Sequence, residues 1–234
     1  MTKVRYDTVF LDVDGTLLWV DLDLAGYVED ISRYSTNGPL TVEKAAEPVW
    51  RGVRDHISQN IHYPTREELD SFKRENQRRT ARALNVEAPP DLLAEAVERR
   101  ISFNPYPESE RVLEELRSMG LGLYVVSNWD ILLEDVLEDL GWTRYFDGII
   151  VSAAIGIEKP DPGIFEEALR VSGERRGRVL HVGNDPAADV TGAVAGGIDV
   201  VLVDREGGTD APEAVAVMPD LAGLPAWIGS PEDV

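Results

Sequence analysis

The chain has 234 residues, 43% hydrophobic and 28% charged, a globular balance that excludes wholesale disorder and allows a sizeable core. Its net charge of −20 would repel nucleic acid and anionic membranes, so neither is an expected partner, though a small phosphorylated substrate is compatible if the site itself supplies positive charge. Cysteine is absent and the only histidines are His56, His62 and His181, which removes disulfides, thiolate chemistry and His-rich or Cys-ligated metal sites.

The first predicted strand is the apolar run Thr8-Val9-Phe10-Leu11, which leads into Asp12-Val13-Asp14-Gly15-Thr16. Polar residues precede it with no signal-peptide pattern, and no apolar run approaches the ~20 residues of a bilayer span, so a soluble, cytoplasmic protein is expected. Two carboxylates one residue apart at the end of a buried strand repel each other and are costly to desolvate unless a cation sits between them. One could then serve as nucleophile and the other as acid/base. The plain alternative is a strand ending in a polar turn built on Asp14-Gly15.

Residues 21–102 read as helical. Leu24, Tyr27, Val28 and Ile31 recur at helical spacing up to the breaker Ser35-Thr-Asn-Gly-Pro39. Val42, Ala46, Val49, Trp50, Val53 and Ile57 form a second stripe, in which Pro48 predicts a kink or a late start. Thr65-Arg-Glu-Glu68 is a capping box for a third helix through Leu69, Phe72 and Leu84, and Pro89-Pro90-Asp91 opens a fourth. Arg74, Arg78 and Arg82 share one side of the third helix, read as a solvated face because Glu67, Glu68 and Glu75 are neighbours.

From residue 104 onward strands and helices alternate. Glu108–Met119 reads as a helix, Leu121–Val126 as a strand ending in Ser127-Asn128, and Asp130 as the N-cap of the next helix. Phe146–Val151, Val179–Val182 and Ile198–Val203 are further β-rich runs, and residues 206–234 read as an irregular tail. Alternation predicts an α/β, Rossmann-like parallel sheet, with the helical bundle inserted after its first strand. The expected domains are a core of residues 1–20 and 103–234 and an insert of residues 21–102, hinged near Thr16–Val20 and Phe103–Pro107. His181, inside a buried strand, reads as a satisfied core histidine.

Four segments stand in order at strand ends: Asp12–Thr16, Ser127-Asn128, Lys159-Pro160, and Gly183-Asn184-Asp185 with Asp189. In open parallel sheets ligands bind at such carboxyl ends, so all four fit one site. Together they resemble the motifs of the haloacid dehalogenase-like (HAD) superfamily, over roughly residues 4–20 and 103–205.

The resemblance implies a Mg²⁺-dependent phosphatase with a helical cap that selects the substrate. It makes Asp12 the nucleophile, Asp14 the acid/base and Lys159 the charge-neutralising catalytic group. Ser127 and Asn128 are implied beside the phosphoryl group, and Asp12, Asp14 and Asp185 as metal contacts, with Asp189 behind them. Gly183-Asn184-Asp185 departs by one residue from the family's Gly-Asp, which leaves open whether Asp185 or Asp189 is nearer the ion. A 2-haloacid dehalogenase, a phosphomutase, a phosphonate hydrolase with a cap lysine, and a silent binding protein are the alternatives. Asp14 argues against the dehalogenase, since those enzymes lack the second aspartate of the first motif. Lys44 and Lys73 offer no recognisable context for a phosphonate hydrolase, and the complete motif set argues against a silent protein.

Overall fold

The computed structural model describes residues 5–230. Thr8–Leu11 forms strand β1 with all four residues buried, as expected for a strand covered on both faces. Next come β2 (Leu18–Leu22), α1 (Leu24–Ser32), α2 (Val42–Gln59), α3 (Arg66–Ala83), α4 (Pro90–Glu98) and β3 (Ile101–Pro105). The alternating part comprises α5 (Ser109–Ser118), β4 (Gly122–Ser127), α6 (Leu133–Asp139), β5 (Gly148–Val151), α7 (Ser152–Ile155) and α8 (Gly163–Ser172). It continues through β6 (Val179–Gly183), a π-helical turn (Pro186–Val190), α9 (Thr191–Ala195), β7 (Asp199–Val203), β8 (Ala216–Met218) and α10 (Leu224–Gly229).

Six strands form one sheet in the order β5-β4-β1-β6-β7-β8, every pair parallel. This is the expected α/β, Rossmann-like architecture. β1 lies between β4 and β6, with Leu11 opposite both Val125 and Val182. Asp12 therefore leaves the sheet beside the ends of β4 and β6, at the point where the strand order reverses. Phe10, Val126, Ile164, Phe165, Val200 and Leu202 belong to one continuous apolar cluster that anchors these strand ends.

The chain divides into two compact units, with boundaries after Trp19 and after Asn104. In the unit Val20–Asn104, Tyr27, Ile31, Ala45, Val49, Leu84 and Leu93 build a separate core. Thr65 caps α3 as expected: its Oγ1 accepts from the Glu68 N–H at 3.3 Å and donates to Glu68 Oε2 at 2.7 Å. Arg78 and Arg82 are exposed and reach Glu75 at 3.5 and 3.9 Å, the solvated face expected of them.

Several expectations change. The connections near residues 18–22 and 101–105 are strands, joined as a two-stranded sheet. The buried face of α2 is carried by Ala45 and Val49, while Val42, Trp50 and Ile57 of the predicted stripe are exposed. Pro48 neither delays nor ends α2, which starts at Val42 under a Thr41 cap and forgoes one backbone bond inside the helix. Asp130 precedes α6 by a turn, its Oδ1 accepting from the Leu132 N–H at 2.9 Å, so it braces the turn rather than capping the helix. The tail holds β8 and α10, and its last residues, 231–234, lie outside the described residues. Among the described residues no helix is long and apolar enough to cross a membrane.

Candidate active site

Asp12 is 6% exposed, and its backbone N–H continues the sheet by donating to the Val182 carbonyl at 2.9 Å. Its Oδ1 accepts from the Ser127 hydroxyl at 2.9 Å and from Lys159 Nζ at 2.7 Å. Its Oδ2 lies 3.3 Å from Thr16 Oγ1. Beyond Asp12 the chain reverses tightly: the Val13 carbonyl accepts from the N–H groups of Thr16, Leu17 and Leu18. Gly15 is required in this loop for two reasons. Its φ is +77°, and a Cβ there would fall 2.1 Å from Asn184 Nδ2.

Lys159 is 4% exposed with all three of its ammonium donors engaged. They reach Asp12 Oδ1, Asp189 Oδ1 at 2.6 Å and the Val126 carbonyl at 3.1 Å. Asn128 fixes the lysine's backbone from both sides, accepting from the Lys159 N–H and donating to the Lys159 carbonyl, each at 2.8 Å. The amide expected to contact substrate is thus spent on positioning Lys159.

Asp189, 1% exposed, is the hub behind the lysine. Its Oδ1 also meets His181 Nε2 at 2.8 Å, and its Oδ2 accepts from the Asp185 N–H at 2.9 Å. Gly183 makes room for it, since a Cβ there would lie 2.1 Å from Asp189 Cγ. His181 is buried and satisfied as expected, yet its partner ties it to the site, a link that sequence reasoning missed. The available signal was register: His181 stands opposite Phe10, two residues before Asp12.

Burial raises the pKa of Asp12, with Asp189 adding to the rise and Lys159 opposing it. Burial disfavours the Lys159 ammonium, but Asp12 and Asp189 together outweigh it and raise its pKa. Burial pushes Asp189 up, yet Lys159 and His181 prevail and hold it well below the usual carboxylate range. Two buried carboxylates thus share one lysine.

Asp14 and Asp185 are both exposed. The Asp185 Oδ1 accepts from the N–H groups of Ala187 and Ala188 at 2.7 and 3.0 Å as the cap of the π-helical turn. Asn184 faces the first motif, packed on Gly15 with Oδ1 3.3 Å from Thr16 Oγ1. Sequence reasoning passed over Asn184 because it looked for a carboxylate.

A family model described as "haloacid dehalogenase-like hydrolase" matches residues 6–197. The chain belongs to the haloacid dehalogenase-like hydrolases. It is 42% identical over 95 residues to the mouse haloacid dehalogenase-like hydrolase domain-containing protein 3, a match covering 41% of this chain and 38% of that relative. The chain thus matches less than half the length of that relative. A glyceraldehyde 3-phosphate phosphatase of Methanothermobacter thermautotrophicus is 30% identical over 214 residues, 85% of each chain. Among solved structures, the L-2-haloacid dehalogenase of Xanthobacter autotrophicus superposes with a TM-score of 0.66 at 24% identity, covering 95% of this chain and 98% of that one, a likeness of fold.

Magnesium is the ion that the HAD resemblance implies, and the donors present fit a hard cation. Asp12 Oδ2 and Asn184 Oδ1 each lie 3.3 Å from the same Thr16 hydroxyl, so two oxygen donors stand near one another. Among the described residues no three His, Cys, Asp or Glu side chains gather as a metal site, so Asp12, Asp14 and Asp185 do not form a carboxylate triad. Mg²⁺ needs no such triad, because it keeps several waters and is commonly held by one or two carboxylates plus substrate phosphate.

Proposed function

We propose that this HAD hydrolase is a Mg²⁺-dependent phosphomonoesterase that acts on a small phosphorylated metabolite through an aspartyl-phosphate on Asp12. The observation that carries the reading is the Asp12 carboxylate at a sheet reversal point, held by Ser127 and Lys159 and backed by Asp189. The archaeal glyceraldehyde 3-phosphate phosphatase, similar over most of both chains, supports a phosphorylated substrate.

In this reading Asp12 attacks phosphorus, and the P–O bond to the leaving alcohol breaks. Asp14 gives its proton to the leaving oxygen. It then takes a proton from the water that attacks phosphorus, releasing inorganic phosphate and restoring the Asp12 carboxylate. Ser127 and Lys159, already donors to Asp12, balance the charge that gathers on the phosphoryl oxygens. Asp12, Asn184 Oδ1 and, as the family pattern implies, the Asp14 backbone would hold Mg²⁺; this places the third contact at Asn184 rather than Asp185. The ion would neutralise the repulsion between the nucleophile and the phosphate. Asp12 must be ionised to attack, so activity should fall on the acid side.

The helical unit of residues 20–104 carries none of these groups, and we assign it substrate selection. The test is a panel of phosphomonoesters together with 2-chloropropionate, with and without EDTA. Phosphate release that EDTA abolishes and Mg²⁺ restores supports the reading. Turnover of 2-chloropropionate alone, or phosphate release indifferent to chelation, overturns it.

A further inference from the structure

Arg205, in the loop after β7, belongs to none of the four motifs, yet three of its nitrogens and the face of its guanidinium are engaged. Its Nε donates to the Gly15 carbonyl at 3.2 Å and its Nη2 to the Thr16 carbonyl at 2.8 Å. Its Nη1 pairs with Glu108 Oε1 at 2.8 Å, with both side chains less than one-fifth exposed. The Tyr106 ring lies against the guanidinium, 3.3 Å from Cζ to the centroid, and Trp19 packs on Tyr106 at 5.0 Å between centroids. The same segment is tied to the loop a second time, where the Tyr106 N–H and the Ser109 hydroxyl donate to the Leu17 carbonyl at 3.1 and 2.6 Å.

Two of the groups that Arg205 grips, the Gly15 and Thr16 carbonyls, follow Asp14 directly in the chain. The charge of Asp14 reaches the Tyr106 phenol, where burial and Asp14 raise the pKa against Arg205. A guanidinium suits this position because its planar fork spans two carbonyls and a carboxylate at once, which an ammonium on a flexible stem cannot reproduce.

We infer that Arg205 is a positioning residue for Asp14: it clamps the Gly15–Thr16 backbone to Tyr106 and Glu108 so that the acid/base carboxylate keeps its place. The inference rests on the phosphatase reading for its kinetic consequence only. Protonation of the leaving oxygen matters more for an alkyl than for an aryl phosphate, so loosening Asp14 should separate the two substrates.

The experiment compares Arg205→Gln and Arg205→Lys with the parent protein on an alkyl and an aryl phosphomonoester. Amide hydrogen exchange of residues 13–18 is followed in parallel. Arg205→Gln is expected to lower kcat on the alkyl ester at least tenfold more than on the aryl ester, with KM changed less than threefold. Arg205→Lys, which keeps the charge without the fork, should recover only part of that difference. Exchange should quicken at Gly15, Leu17 and Leu18 and stay unchanged at Val9–Leu11. Equal losses on both esters, or unchanged exchange at residues 15–18, overturn the assignment. If the parent protein hydrolyses neither ester, the phosphatase reading fails, and the exchange pattern alone then decides whether the clamp exists.

Discussion

Replacing Lys159 by Met isolates the electrostatics of the site. The substitution keeps a side chain of similar length but deletes an ammonium with three acceptors, Asp12 Oδ1 at 2.7 Å, Asp189 Oδ1 at 2.6 Å and the Val126 carbonyl at 3.1 Å. Both carboxylates stay buried and lose their shared cation, and breaking a buried ion pair by removing one partner costs about 3–5 kcal/mol. The cost must depend on pH. Asp189 has a lowered pKa in the folded protein, so it adds stability above the ordinary carboxylate range, which is lost as pH falls. Asp12 has a raised pKa, so it has the opposite sign: its ionised form costs stability at neutral pH, and the cost is relieved as pH falls through its folded value. Without Lys159 the two carboxylates face each other, and the pair should take up a proton well before an isolated carboxylate would. The destabilisation should therefore be largest near pH 8 and shrink towards pH 5. Urea unfolding of both proteins at the two pH values, followed by the fluorescence of buried Trp142, measures it. A loss below about 1 kcal/mol at pH 8, or one that grows as pH falls, would refute the charge balance described here.

Other consequences are open to simpler tests. Asn184→Asp should tighten Mg²⁺ binding at least tenfold by calorimetry, because a charged oxygen replaces a neutral one, whereas Asp185→Ala should change it little; the reverse ranking would move the third contact back to Asp185. Asp14→Asn should slow an alkyl phosphate by ~10²–10⁴-fold, the usual worth of a general acid, and an aryl phosphate far less, in single-turnover rates. Raising KCl from 0.1 to 1 M shortens the screening length from about 10 to 3 Å and should raise the Tm of a protein carrying −20 net charges, whereas a falling Tm would mean that self-repulsion does not limit its stability.

The parts of the molecule legible in its sequence are those with one strong local signal. β1, β4, β6 and β7 are short apolar runs bounded by turns, and Thr65–Glu68 announces α3 through its own cap. Asp12, Ser127 and Lys159 were found from motif order, and the fold brings their side chains into contact. What was missed depends on geometry that spacing does not carry. β8 is three residues long with Val217 exposed, too brief to show a period. Val42, Trp50 and Ile57 misled the reading of α2, since apolar residues also stand on its solvent side. The π-helical turn after β6 decides which residue faces the first motif: it leaves Asp185 capping its own backbone and presents Asn184 to Gly15. Arg205 acts through partners distant in sequence, Gly15 and Thr16, and His181 reaches the site through the Asp189 carboxylate.

The central claim is that a phosphoryl group is carried by Asp12, and trapping it is the most direct test. The protein is mixed with its best phosphomonoester in the presence of Mg²⁺, quenched within one turnover and treated with borohydride, which reduces an acyl phosphate to an alcohol but leaves a free carboxylate intact. Peptide mass spectrometry then locates the reduced side chain. The account predicts reduction at Asp12, dependent on substrate and absent from Asp12→Asn. Steady turnover with no reduced aspartate, or reduction at Asp14 instead, would contradict it.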